Sequence, residues 1–177
     1  MILDSQLPVE VYRNGPRHVY VALDGTQAEL LTIPAGGSAE PATEEAVAQG
    51  RTKIHMSDGQ MVFKQAVVAM AEACRELLEK ACVAPGDLDL VVAHQANARI
   101  ISAVGRRLGI DPAKVVLDIA EVGNTSAASI PIALDRAWRA GRLHLGDLVL
   151  TTAFGAGLAW GANLIRWTLP PPPVEGA

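Results

Sequence analysis

The chain has 177 residues, 15 Lys and Arg against 19 Asp and Glu, and is 50% hydrophobic. That length suits one domain with a substantial core, and a formal charge of −4 leaves no basic footprint for nucleic acid. No apolar run approaches the roughly eighteen residues that span a bilayer. The first residues lack the charged and apolar regions of a secretory signal, and two cysteines are too few for a disulfide or zinc framework. The composition is that of a soluble protein of a reducing, cytoplasmic compartment.

Residues 18–23 and 29–33 read as strands flanking an Asp24-Gly25 turn. Residues 35–52 are small, polar and acidic without a period, which predicts a mobile loop with one helical turn. Phe63, Val67, Met70, Cys74, Leu77 and Ala81 then recur at three- and four-residue steps. That period predicts a helix over 59–82, opened by a Ser57/Gln60 capping box. After the turn at Pro85-Gly86-Asp87, residues 88–93 form a short apolar strand. A helix from about Asn97 aligns Ile100, Ile101, Val104 and Leu108 and stops at Gly109. Residues 115–117 are strand-like. A third helix spans 127–140, with Ile130, Leu134 and Trp138 on one side and Pro131 in its first turn. Residues 148–152 and 158–167 read as two strands around Phe154-Gly155-Ala156-Gly157. The four prolines at 170–173 are extended and leave the fold.

Strand–helix alternation predicts a mainly parallel sheet covered by helices, with chemistry beyond the carboxyl ends of the strands. Three segments occupy those ends: His94-Gln95-Ala96-Asn97, Gly123-Asn124-Thr125-Ser126 and Phe154-Gly155-Ala156-Gly157. A neutral imidazole at His94 can donate from Nε2 to a developing oxyanion or shuttle a proton, or it can simply satisfy backbone groups. Asn124 can cap the following helix, or its amide can donate to the same oxyanion.

The run from His94 to Ile101 resembles the histidine motif of the β-ketoacyl–acyl carrier protein synthase III family, in the thiolase superfamily. Gly123-Asn124-Thr125-Ser126-Ala127-Ala128-Ser129-Ile130-Pro131 is similar to that family's asparagine motif, and residues 153–161 to its closing glycine-rich hairpin. Met56-Ser57-Asp58-Gly59 resembles the helix entry, with one extra residue before Gly59. The resemblance covers only the C-terminal half of the family. It implies an α/β, thiolase-like lobe over residues 19–168, with a mixed, mostly parallel five-stranded sheet and helices on both faces. Residues 1–18 would be an N-terminal segment or the end of a preceding strand, and 169–177 a Pro-rich tail.

The resemblance also implies roles. His94 and Asn124 would hold the thioester oxygen of a malonyl group as carbon dioxide leaves, and the Ala156 N–H would serve the oxyanion hole for the acyl group. Phe154 would border the tunnel, and Asn97, Gly59 and Phe63 would meet pantetheine. Arg99 would receive the acidic carrier protein, unless it is only a solvated helix residue. The family's nucleophilic cysteine belongs to the other half. Cys74 and Cys82 do not match it and read as buried, inert thiols.

The expected protein is therefore an acyltransferase half of fatty acid or polyketide biosynthesis, acting on coenzyme A or phosphopantetheine thioesters without metal or cofactor. Its expected partners are a cysteine-bearing half and acyl carrier protein, in an oligomer. Two other functions stay open: an acyltransferase of the same superfamily, and a non-catalytic thiolase-like subunit that binds acyl thioesters.

Overall fold

The computed structural model describes residues 18–171. In chain order its elements are β1 (His18–Leu23), β2 (Leu31–Thr32), α1 (Glu44–Ala48), β3 (His55–Met56) and α2 (Gly59–Lys80). There follow β4 (Leu90–Ala93), α3 (Ala98–Leu108), α4 (Ile119–Val122), α5 (Ser129–Arg139), β5 (Leu148–Gly155) and β6 (Ala159–Arg166).

The main sheet has the order β1-β6-β5-β4. β4 pairs with β5 in parallel, while β6 is antiparallel to both β5 and β1. A fifth position lies beyond β4, reduced to one parallel bridge between Val91 and Val115 and the N–H of Val116 donating to the Val91 carbonyl at 2.9 Å. Residues 115–117 thus extend the sheet without forming a full strand. Only β6 runs against the other four positions, so the sheet is mixed and mostly parallel, as expected.

β4 is buried at all four residues, which explains its unbroken apolar run. Val91 and Ala93 face α2 and α3 in one core, with Met70, Leu77 and Ile101. Leu90 and Val92 face α5 in a second core, with Ala133, Ala137 and Val149. Helices therefore cover both faces. The buried surface of α2 is wider than the predicted stripe and includes Val62, Ala66, Ala69 and Ala73, because the sheet and α3 both pack on this helix. Alanine at those positions lets the backbones approach closely.

Several local expectations are corrected. Asp58, not Ser57, caps α2: its carboxylate accepts from the N–H groups of Gln60 and Met61, each at 2.9 Å. A carboxylate on the positive end of a helix is the stronger cap, and Ser57 instead donates to the Glu29 carbonyl. Residues 25–30 form 3₁₀ turns, because the Asp24 carboxylate accepts from the Thr26 N–H and hydroxyl and so competes with strand pairing. Only Leu31 and Thr32 stay extended, in a separate two-stranded sheet with β3.

The 35–52 segment holds the expected helical turn, α1, but it is fastened rather than loose. Ala35 and Ala46 are buried, the Ala35 N–H donates to the Arg51 carbonyl, and Arg51 pairs with Glu40. The third helix begins as a 3₁₀ turn at Ser126–Ala128 and becomes α-helical at Ser129. β5 runs on to Gly155, so Phe154 and Gly155 belong to the strand and the hairpin turn is Ala156-Gly157-Leu158. The tail does not leave at Pro170, whose carbonyl accepts from Trp138 Nε1 at 2.7 Å. Residues 1–17 and 172–177, with the expectations placed on them, lie outside the described residues.

β1 presses closely on β6 at Gly161, where a Cβ would lie 2.7 Å from the Tyr20 carbonyl oxygen. Backbone cannot yield there as a flexible side chain would. Gly161→Ala is expected to cost about 1–3 kcal/mol in urea unfolding. Gly37→Ala, with nothing within 4 Å of its Cβ, is expected to stay within about 0.5 kcal/mol of wild type.

Candidate active site

His94 stands where β4 ends. Its N–H donates to the Thr152 carbonyl at 2.8 Å, continuing the parallel ladder by one residue, and its own carbonyl accepts from the Ala96 N–H. The chain then turns sharply into α3, whose N-cap is Asn97: the Asn97 Oδ1 accepts from the Arg99 N–H at 2.9 Å. On the imidazole, Nδ1 lies 2.5 Å from the Ser129 hydroxyl. Half-burial of the ring holds its pKa below the ordinary 6.5, so His94 is neutral at neutral pH with one nitrogen protonated.

The neighbouring Gln95 is fully buried and holds this corner together. Its Nε2 donates to the Ala93 and Val116 carbonyls at 2.8 and 3.2 Å. Its Oε1 accepts from the N–H groups of Asp118 and Ile119 at 2.7 and 3.2 Å. Its backbone N–H donates to the Ser129 hydroxyl. In the sequence, Gln95 and Ser129 stand out only as members of the histidine and asparagine motifs. The bonds of Gln95 to residues 116–119 and of Ser129 to His94 and Gln95 span 21 to 35 residues, and no local signal announces them.

Asn124 follows a backbone position that only glycine adopts readily. Gly123 has φ 68° and ψ −165° and ends α4. Two residues beyond Asn124, Ser126 has φ 55°, uncommon for a residue with a side chain. Between these bends the Asn124 Oδ1 accepts from the Ser126 N–H at 2.9 Å, which fixes the amide plane and leaves Nδ2 to donate outward. Asn124 thus caps neither α5 nor the 3₁₀ turn, whose N-cap is Thr125; its bond closes a local turn just before them.

These positions share one cavity of about 1150 Å³. His94 and Asn124 line it from two loops, and Phe154, Gly155 and Ala156 from the end of β5. Asn97 and Arg99 enter from α3, and Gly59 and Phe63 from the first turns of α2. All eight sequence-predicted site residues are brought together. Leu31, Ile54 and Met56, from the small sheet and the loop before it, form a wall that the sequence did not reveal. The Arg99 guanidinium lies 5.3 Å over the Phe63 ring, and Phe154 stacks on Trp160 at 6.3 Å. Chemically, the cavity offers two neutral donors, a turn with exposed backbone and an apolar wall crossed by one cation.

Among the described residues no helix is long and apolar enough to cross a membrane. The fold and the site define a thiolase-like lobe. The profile of the 3-oxoacyl-[acyl-carrier-protein] synthase III C-terminal family matches residues 78–167. A β-ketoacyl-[acyl-carrier-protein] synthase III of Desulfitobacterium hafniense is 48% identical over 148 residues, covering 84% of this chain and 44% of the relative. The crystal structure of 3-oxoacyl-(acyl carrier protein) synthase III from Pseudomonas aeruginosa PAO1 superposes with a TM-score of 0.78 at 37% identity, over 89% of this chain and 47% of that one. The priming β-ketosynthase of the R1128 polyketide pathway gives 0.76 at 37%, over 90% and 46%. The chain belongs to the 3-oxoacyl-[acyl-carrier-protein] synthase III family and spans less than half the length of these relatives.

Neither cysteine lines the cavity. Cys74 is buried on α2, and burial pushes its thiol up to about 12, against smaller opposing effects of Thr152 and Arg75. Cys82, expected to be buried, is exposed. α2 ends at Lys80, and Cys82 takes a left-handed φ of 53° in the turn that follows. Iodoacetamide at pH 8 is expected to label Cys82 alone in the folded chain and both thiols after unfolding. Mass spectrometry of the labelled peptides checks this.

Proposed function

We propose that this chain is the C-terminal half of a ketosynthase-III-like condensing enzyme, supplying the decarboxylation residues for a malonyl thioester. The observation that carries this reading is the convergence of His94 from the end of β4, Asn124 from the loop after α4 and Ala156 from the turn after β5 on one cavity. As the malonyl carbon–carboxylate bond breaks, carbon dioxide leaves and the electron pair enters the thioester as an enolate. His94 Nε2–H and Asn124 Nδ2–H donate to the enolate oxygen. The enolate carbon then attacks an acyl thioester on a cysteine supplied from outside these 177 residues, and the thiolate departs. The Ala156 N–H stabilises the oxyanion formed at that acyl carbon. Two neutral donors suit this chemistry, since they stabilise the enolate without protonating its carbon.

The remaining positions have roles consistent with their places. Phe154 borders the acyl tunnel. Asn97 keeps Nδ2 free after capping α3, and with Gly59 and Phe63 it meets the pantetheine arm of a coenzyme A or carrier-protein thioester. Arg99, exposed at the rim, receives an acidic carrier protein. A soluble cytoplasmic oligomer is the natural setting. Val21, Leu23, Leu117 and Leu145 are more than half exposed. Apolar surface of this extent supports a cysteine-bearing half as the partner.

Losing one oxyanion donor typically costs about a hundred- to a thousandfold. In complex with a cysteine-bearing half, His94→Ala and Asn124→Ala are each expected to lower malonyl-thioester decarboxylation by that order. Acylation of the partner's cysteine should change far less. Carbon dioxide release and the mass of the acyl-enzyme measure the two steps. Unchanged decarboxylation in both variants would overturn the assignment.

A further inference from the structure

We infer that the Ser129 hydroxyl is a positioning group that holds His94 in the tautomer protonated on Nε2, the nitrogen it leaves free. Ser129 is fully buried. Its oxygen accepts the Gln95 N–H at 3.1 Å and lies 2.5 Å from His94 Nδ1. A hydroxyl has one proton and two lone pairs. With the Gln95 N–H on one lone pair, two arrangements remain. Either Ser129 donates its proton to a bare Nδ1, or a protonated Nδ1 takes the second lone pair and the serine proton must find another acceptor.

No other acceptor is at hand among the described residues, since the Ser129 oxygen makes only these two hydrogen bonds. The Gln95 amide is fully engaged with four backbone groups. The second arrangement therefore buries an unsatisfied hydroxyl proton, which disfavours it by a factor on the order of ten to a hundred. Ser129 sits at the first turn of α5, so the helix whose approach is set by Gly123 and Ser126 also delivers the hydroxyl to the imidazole. The asparagine segment thereby controls both donors, one directly and one through a tautomer.

The catalytic meaning of this rests on the reading above, in which Nε2–H donates to the thioester oxygen. The tautomer itself is measured without substrate, so the two can fail separately. The chain labelled with ¹⁵N-histidine is examined by NMR at pH 8, with the His94 signals identified by their loss in His94→Gln. The wild type is expected to show a bare Nδ1 and a protonated Nε2. Ser129→Ala should move the two nitrogen shifts toward each other as the tautomers mix, and Ser129→Thr should keep them apart. Ser129→Cys, close in volume but a weak donor, should fall between and stands in should the alanine variant not fold. A wild type protonated on Nδ1, or wild-type shifts in the alanine or cysteine variant, would overturn the proposal.

Discussion

The active-site corner hangs on one buried amide. Gln95 donates twice and accepts twice, tying the last residue of β4 to the bridge at Val116 and to the start of α4. All four of those partners are backbone groups at a place where the sheet has run out of ladder. Removing the amide would strand buried N–H and carbonyl groups, each at about 1–3 kcal/mol. Polar networks of this kind specify one geometry because every alternative leaves a member unsatisfied. His94 and the asparagine loop are thus set relative to each other before any substrate arrives.

Strain is concentrated where precision is needed. Gly123 and Ser126 bracket Asn124 with two unusual backbone conformations, and the hairpin beside Ala156 has φ of 72° and 48° at Gly157 and Leu158. Such conformations persist only where the surroundings over-determine them. Here two apolar cores do so, one on each face of β4. Rigid helices and strands carry the tension while the loops hold donors and backbone at the cavity wall. The proposed oxyanion stabilisation depends on donors that need no reorganisation during the reaction, and a site held in this way suits it.

Much of this was legible in the sequence. The apolar period of α2, the buried run of β4, the Gly109 stop and the three motifs place the elements that carry the eight named site residues, though not α4 or the small sheet that walls the cavity. What escaped was set by side chains competing with backbone or by distant contacts. The 3₁₀ turns that open at Asp24 run through Glu29 and Leu30 and leave only Leu31 and Thr32 of the expected 29–33 strand paired, and Asp58 displaced Ser57 as the α2 cap. The Arg51–Glu40 pair fastened a segment whose composition reads as loose. Cys82 is exposed because of a left-handed turn just past α2 that periodicity does not show. Ser129 and Gln95 reach His94 and residues 116–119 through tertiary contacts, which one sequence does not encode in its spacing.

The central claim is that decarboxylation is the work of this half, independent of the cysteine that carries the acyl chain. The most direct measurement is carbon dioxide release from a ¹³C-carboxyl malonyl thioester. It is made on the complex in which the partner's nucleophilic cysteine has been replaced by an inert residue. Release should persist in that complex and vanish when His94→Ala is added. Release that stops with the cysteine, or continues without the imidazole, would contradict the account.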